Sequence, residues 1–145
     1  MNSTSRETVN PKTGLTLQQM KEFIRIHFEQ FVNQKNLDIA DVNFAAEFID
    51  HGADVPPGTA PGPAPGPAGA KQYVGGAYKR FPDIRVQIED WIAEGDCVVV
   101  RNHWTGTDAN TNQRIAFRGI VIWRIADRKI VERWAYLEKP HPSDA

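Results

Sequence analysis

The segment FRGIVIWRIADRKIVERWAY, Phe117 to Tyr136, constrains the fold of this chain more than any other part of it. Its alternation predicts two long strands joined by a tight turn at Asp127-Arg128. Phe117, Val121, Trp123 and Ile125 share one face of the first strand; Ile120 and Ile122 share the other with Arg118 and Arg124. A strand apolar on both faces has to be covered twice, by a core on one side and by a helix or a partner on the other.

The rest of the chain supplies the cover. Met1 to Leu15 is polar and irregular and reads as a loose arm. Thr16 and Gln19 have the reciprocal spacing of a capping box, which starts a helix there. Leu17, Met20, Ile24, Phe28 and Phe31 then recur every three or four residues, one stripe facing a core, with Phe23 and Val32 widening it. A shorter helix begins near Asp38, with Ile39, Val42, Ala45 and Ala46 apolar, and runs into Phe48-Ile49-Asp50-His51. Val55 to Gly69 alternates Pro with Gly and can form neither helix nor ladder. The segment before it is too short to hold a core of its own, so it reads as a flexible loop within one domain, flanking a pocket mouth. A third helix follows, Pro67 near its start, with Tyr73, Val74, Ala77, Tyr78 and Phe81 packed, and Pro82 ends it.

From Asp83 the period changes to two. Ile84, Val86 and Ile88 alternate with Arg85, Gln87 and Glu89; Glu94-Gly95-Asp96 turns; Cys97 to Gly106 is the next strand; Asp108 to Asn112 turns again. Three helices followed by an antiparallel meander give an α+β class, a curved sheet wrapping a helix. The domain spans residues 16–138, with a tail over 139–145.

With 145 residues there is one domain and enough chain for a core without metals or disulfides. A net charge of -1 with the signs interspersed points to no nucleic acid and no anionic membrane surface. No apolar run approaches the roughly 20 residues of a membrane span, and no apolar signal core stands at the N-terminus, so a cytoplasmic location is expected. The single cysteine, Cys97, sits in CVVV as a small buried hydrophobe; it excludes a disulfide framework and a cysteine zinc site. His27, His51, His103 and His141 lie far apart without ligand spacing, so no metal site is expected, nor any phosphate-binding glycine loop. His27 reads as structural and His141 as solvated.

Five stretches fall in the order seen in one family: DHG (Asp50 to Gly52), FPDIRV (Phe81 to Val86), AEGDCVVVR (Ala93 to Arg101), WTGT (Trp104 to Thr107) and RIADRKIVERW (Arg124 to Trp134). Together they resemble SnoaL-like proteins, the polyketide and ester cyclases of the nuclear transport factor 2-like (cystatin-like) superfamily. The resemblance covers roughly Leu17 to Tyr136. It implies a cone-shaped, strongly bent antiparallel sheet closed by the N-terminal helices around an apolar pocket, with the outer sheet face a common homodimer surface. It also implies an enzyme that needs no cofactor and a small apolar molecule as ligand. At the turn, Arg128 stands where the family usually has glycine; a positive φ there costs on the order of 1 kcal/mol.

In the family's cyclases an aspartate on the last strand is the acid/base and a histidine on the preceding strand holds substrate; the matching positions here are Ala135 and Val121, which move no proton. With Trp123 and Arg133 they are expected to line the pocket, although Arg133 could instead pair with Glu132, Glu138 or Asp83 at the rim. Arg101 and His103 match the spacing of an Arg-x-Asp pair that epoxide hydrolases of the superfamily point into their pocket. Two residues apart on a strand, they share a face, and could act as electrostatic helper and base or lie solvated on the sheet surface. Asp50 and His51 are either a hydrogen-bonded pair at the pocket mouth or a helix C-terminal cap. Three functions compete: a proton-transfer enzyme (cyclisation, isomerisation, dehydration or hydrolysis) acting on a cyclic or polyketide-like apolar molecule; a non-catalytic binder of such a molecule; and an assembly subunit.

Overall fold

A computed structural model describes residues 8–52 and 65–143 of the chain. Helix α1 (Leu17–Phe28) opens with the capping box expected: Thr16 Oγ1 accepts from Gln19 N–H, and the Gln19 side chain accepts from Thr16 N–H. Its last turn widens into a π-helical turn over Glu29–Asn33, which keeps Phe31 and Val32 turned to the core. Met20, Ile24, Phe28 and Phe31 are buried, as their spacing requires.

The second helix is shorter than its apolar pattern suggests. Helix α2 (Ile39–Asn43) stops at Asn43, and Phe44–Asp50 is strand β1. Val42 is left exposed. Strand β1 pairs in parallel with the last long strand, with a register break between Phe44 and Ile49. Asp50-His51 therefore ends a strand and caps no helix.

Helix α3 (Gly66–Arg80) takes its first turn from the Pro/Gly stretch: Gly66 has φ +82° and Pro67 stands at the start. The expected loop thus ends at Pro65, and its residues 55–64 lie outside the described residues. Strands β2 (Arg85–Glu94), β3 (Cys97–Thr107), β4 (Arg114–Ala126) and β5 (Lys129–Leu137) form the meander, ordered β1-β5-β4-β3-β2 in one mixed, curved, unclosed sheet. Irregularities between Ile88 and Asp90 and between Arg124 and Ile125 interrupt the ladders where the strands bend. The β4–β5 turn has positive φ at both Asp127 (50°) and Arg128 (63°), the hairpin geometry that matches strand twist.

Residues 8–15 are tied in, unlike the loose arm expected there. The buried Thr13 and Lys12 accept from Arg128 and Asp127 N–H, and Lys12 Nζ lies 3.2 Å from Asp96. In the tail, His141–Pro142 (β6) returns to pair with β4.

The core fills the concave face, under α1 and beside α3. Alternation along β4 is as expected inside: Phe117, Val121, Trp123 and Ile125 are buried. On the convex face Ile120, Ile92 and Tyr136 are exposed. Among the described residues no helix is long and apolar enough to cross a membrane.

Candidate active site

Strand register builds the site row by row. Trp123 on β4 faces Arg133 on β5, which faces Asp50 on β1. One row further along, Val121 faces Ala135; beyond that, Asn102 faces Gly119, which faces Leu137. Because partners across neighbouring strands share a face, each row presents its side chains together on the concave side.

In the first row Arg133 Nη1 donates to Asp50 Oδ1 at 2.9 Å and Oδ2 at 3.1 Å, and both residues are largely buried. Gly52 N–H donates to Asp50 Oδ1 at 2.9 Å. The guanidinium also lies over the rings of Tyr73 (5.5 Å) and Trp123 (5.6 Å), a cation held between two aromatic faces. Burial works against the charge of Arg133, but Asp50 and Tyr73 outweigh it and its pKa is raised. The Asp50–Arg133 pair thus sits inside a largely apolar enclosure.

Helix α1 brings His27 down onto the same row. Its ring stacks on Phe31 (5.0 Å) and meets Phe44 and Trp123 edge-on (5.1 and 5.4 Å). Asn43 Nδ2 lies 2.9 Å from His27 Nδ1. Burial first, and the charge of Arg133 second, depress the pKa of His27 to about 3, so the ring is neutral at ordinary pH. Tyr78 closes the side: its hydroxyl donates to the Phe31 carbonyl, and burial pushes its pKa up to about 12.

These groups line a pocket with about 80 Å³ of free interior, walled by Phe28, Phe31, Phe44, Phe81, Trp104 and Phe117. One water needs only about 10–15 Å³, so the space has room for several waters or a small apolar group. Asp50 is the only acidic side chain lining it among the described residues.

The structure gathers some of the expected site residues and disperses others. Asp50, Trp123 and Arg133 meet in the pocket; Arg133 pairs with Asp50 and with none of the rim acids. Val121 and Ala135 do face inward, but they form a closed floor. A Cβ added to Gly52 would stand 2.8 Å from the Ala135 Cβ, so the Gly52 backbone seals that position. Asp50 and His51 do not bond to each other. His51 turns outward, stacks on Trp134 (4.9 Å) and reaches Glu132 at 3.0 Å.

Arg101 and His103 share a face, but it is the convex one. The buried side chains of β3 are Val98, Val100, Asn102 and Trp104, so the odd-numbered positions point away from the pocket. Arg101 is exposed near Glu89 (3.5 Å) and Asp90 (3.9 Å). His103 lies in a polar groove at the sheet edge with Glu29, Asn33 and Arg85. Cys97 is half-buried, and burial raises its pKa, which fits no nucleophile. Among the described residues no three His, Cys, Asp or Glu side chains cluster to hold a metal ion.

Two polar residues on the pocket side were not among the expected site residues: His27, which the sequence reads as structural, and Asn102. For His27 a signal exists: it lies three residues after Ile24 and four before Phe31, on the buried stripe itself.

The SnoaL-like polyketide cyclase family matches the chain over residues 22–141. A candidate polyketide cyclase from Bacillus cereus superposes with a TM-score of 0.69 at 26% identity, covering 92% of this chain and 89% of that one. IdmH, a candidate polyketide cyclase from Streptomyces antibioticus, gives 0.70 at 22% over 83% and 92%. AclR, a candidate hydroxylase from Streptomyces galilaeus, gives 0.69 at 20% over 85% and 91%. No curated protein matches the chain.

Proposed function

The chain belongs to the SnoaL-like polyketide cyclase family, and we propose that it transfers protons on a mainly apolar, cyclic or polyketide-like small molecule, with Asp50 as the base. The observation that carries this reading is the placement of one carboxylate, Asp50, among aromatic walls with Arg133 locked onto it. Val121 and Ala135 leave the family's acid/base positions without chemistry, and Asp50 lies one strand beyond Ala135 in the neighbouring row. In this reading Asp50 takes a proton from the carbon beside a substrate carbonyl and returns it. Arg133 fixes the orientation of the carboxylate through its two hydrogen bonds. Arg101 and His103, on the other face, have no part in it.

A second reading has its own observation. Asp50 already accepts three hydrogen bonds, from Arg133 and Gly52, as a purely structural carboxylate would, and the pocket would then only bind. Exchange of the C2 protons of 1-indanone in D2O separates the two. Wild type should accelerate exchange over buffer, and Asp50→Asn should lose on the order of 100-fold or more of that while still binding the ketone. A ketone that binds wild type without faster exchange would leave the binding reading standing. Self-association through the convex face is proposed alongside, supported by the exposed Ile92, Ile120 and Tyr136.

A further inference from the structure

Two nitrogen donors on pocket-lining residues have no hydrogen-bond partner among the described residues. His27 Nε2 and Trp123 Nε1 are buried atoms without a hydrogen bond to any described residue. Their residues are 1% and 3% exposed, and both line the cavity. His27 reaches it from the helix above the sheet, Trp123 from β4 below. An indole nitrogen can only donate. With Asn43 Nδ2 donating to His27 Nδ1, the neutral imidazole carries its single proton on Nε2, so that atom donates as well. A phenylalanine at position 27 would stack against Phe31 and Phe44 equally well; the bond to Asn43 accounts for the histidine's Nδ1, and nothing among the described residues accounts for its Nε2.

We propose that His27 Nε2–H and Trp123 Nε1–H form a two-donor site for a single acceptor oxygen, that of a ring ketone. This rests on the pocket reading above and names the substrate class within it. Two donors with no acceptor between them favour a carbonyl over a hydroxyl, which must also place its own proton. A carboxylate is disfavoured because Asp50 and Arg133 already balance each other, and a third charge would lie unpaired among aromatic walls. The arrangement also suits the chemistry assigned to Asp50. When the C–H bond beside the carbonyl breaks, its proton goes to the Asp50 carboxylate. Its electron pair forms the enolate double bond, and the negative charge arrives on the oxygen that the two N–H groups would hold.

Indane and 1-indanone differ by that oxygen, and the ratio of their dissociation constants compares proteins without regard to how well each dissolves in water. In His27→Phe the preference for 1-indanone should fall about fivefold while indane still binds, which shows the pocket intact; Trp123→Phe should lower it again. Wild type supplies a readout that needs no variant: 1-indanone should move the Trp123 indole N–H resonance downfield and indane should not. An unchanged ratio in both variants, or an indole shift equal for the two ligands, overturns the donor site while the pocket reading survives. Failure of 1-indanone to bind the wild type overturns both.

Discussion

His27→Phe should change how the protein responds to acid, and the size of the change follows from burial. In the unfolded chain His27 titrates near 6.5; in the fold its pKa is depressed to about 3, by burial first and by Arg133 second. As pH falls through that window the unfolded state takes up a proton that the native state refuses, so stability falls with pH. The contribution is whole above about pH 6.5 and drains away toward pH 3. Between pH 7 and pH 5 it amounts to about 2 kcal/mol, and to about 5 kcal/mol over the full window. Phenylalanine cannot titrate, so the variant should lack this slope, whatever its stability at pH 7 after Asn43 loses its acceptor. Urea unfolding followed by tryptophan fluorescence at pH 7, 6 and 5 gives the two slopes. His51, His103 and His141 are present in both proteins and cancel in the comparison. The carboxylates with lowered pKa values, among them Glu29, Asp83, Asp96 and Glu132, also cancel, and they titrate mostly below pH 5. Parallel slopes would refute the reasoning, since they mean that the native pocket accepts a proton on His27 as readily as the open chain does.

Four further outcomes are expected. Asn102 is fully buried with neither end of its carboxamide bonded to a described residue, so Asn102→Val should raise unfolding stability by about 1–3 kcal/mol; a loss would show that the amide is engaged within the sheet. Arg128→Gly relieves a positive φ of 63° and should raise the chemical denaturation midpoint by about 1 kcal/mol equivalent. Arg133→Met strands the buried Asp50 charge and should cost about 3–5 kcal/mol, most of it recovered in Asp50→Leu/Arg133→Met; the same urea titration checks both, and no recovery would mean that the loss is one of packing. Ile120→Asp with Tyr136→Asp should turn a self-associating parent into a monomer in sedimentation, and a parent that is monomeric at every concentration removes that proposal.

The capping box, the hairpin and the buried face of β4 were readable in the sequence because each rests on local periodicity or on a side chain bonding its own neighbours. Strand β1 was not. Its burial runs through Phe44, Ala45 and Phe48 without clean alternation, because it pairs on one edge and breaks register midway, so the apolar spacing of α2 runs on into it. The pocket side of β3 was misread for a related reason. Val98, Val99 and Val100 are apolar on both faces, which leaves the inward parity open, and the charged pair at Arg101 and His103 attracts the chemistry. Trp104 was the informative residue: a large aromatic shares parity with Asn102 and not with His103. The Asp50–Arg133 pair joins positions 83 apart, and no local pattern could announce it.

That separation also governs when the pocket can exist. A parallel pairing between the first strand and the last long one closes only after everything between them is in place, and long loops of this kind make folding slow. During synthesis the aromatic side chains of α1 emerge well before the strands that will cover them, and Asp50 waits, solvated, for an arginine not yet made. The site is therefore a product of the final stage of folding. A nascent or truncated chain that lacks β5 can hold its meander half-formed, but it has no pocket to offer a ligand, and any ligand that binds the finished site will favour the completed chain over its precursors.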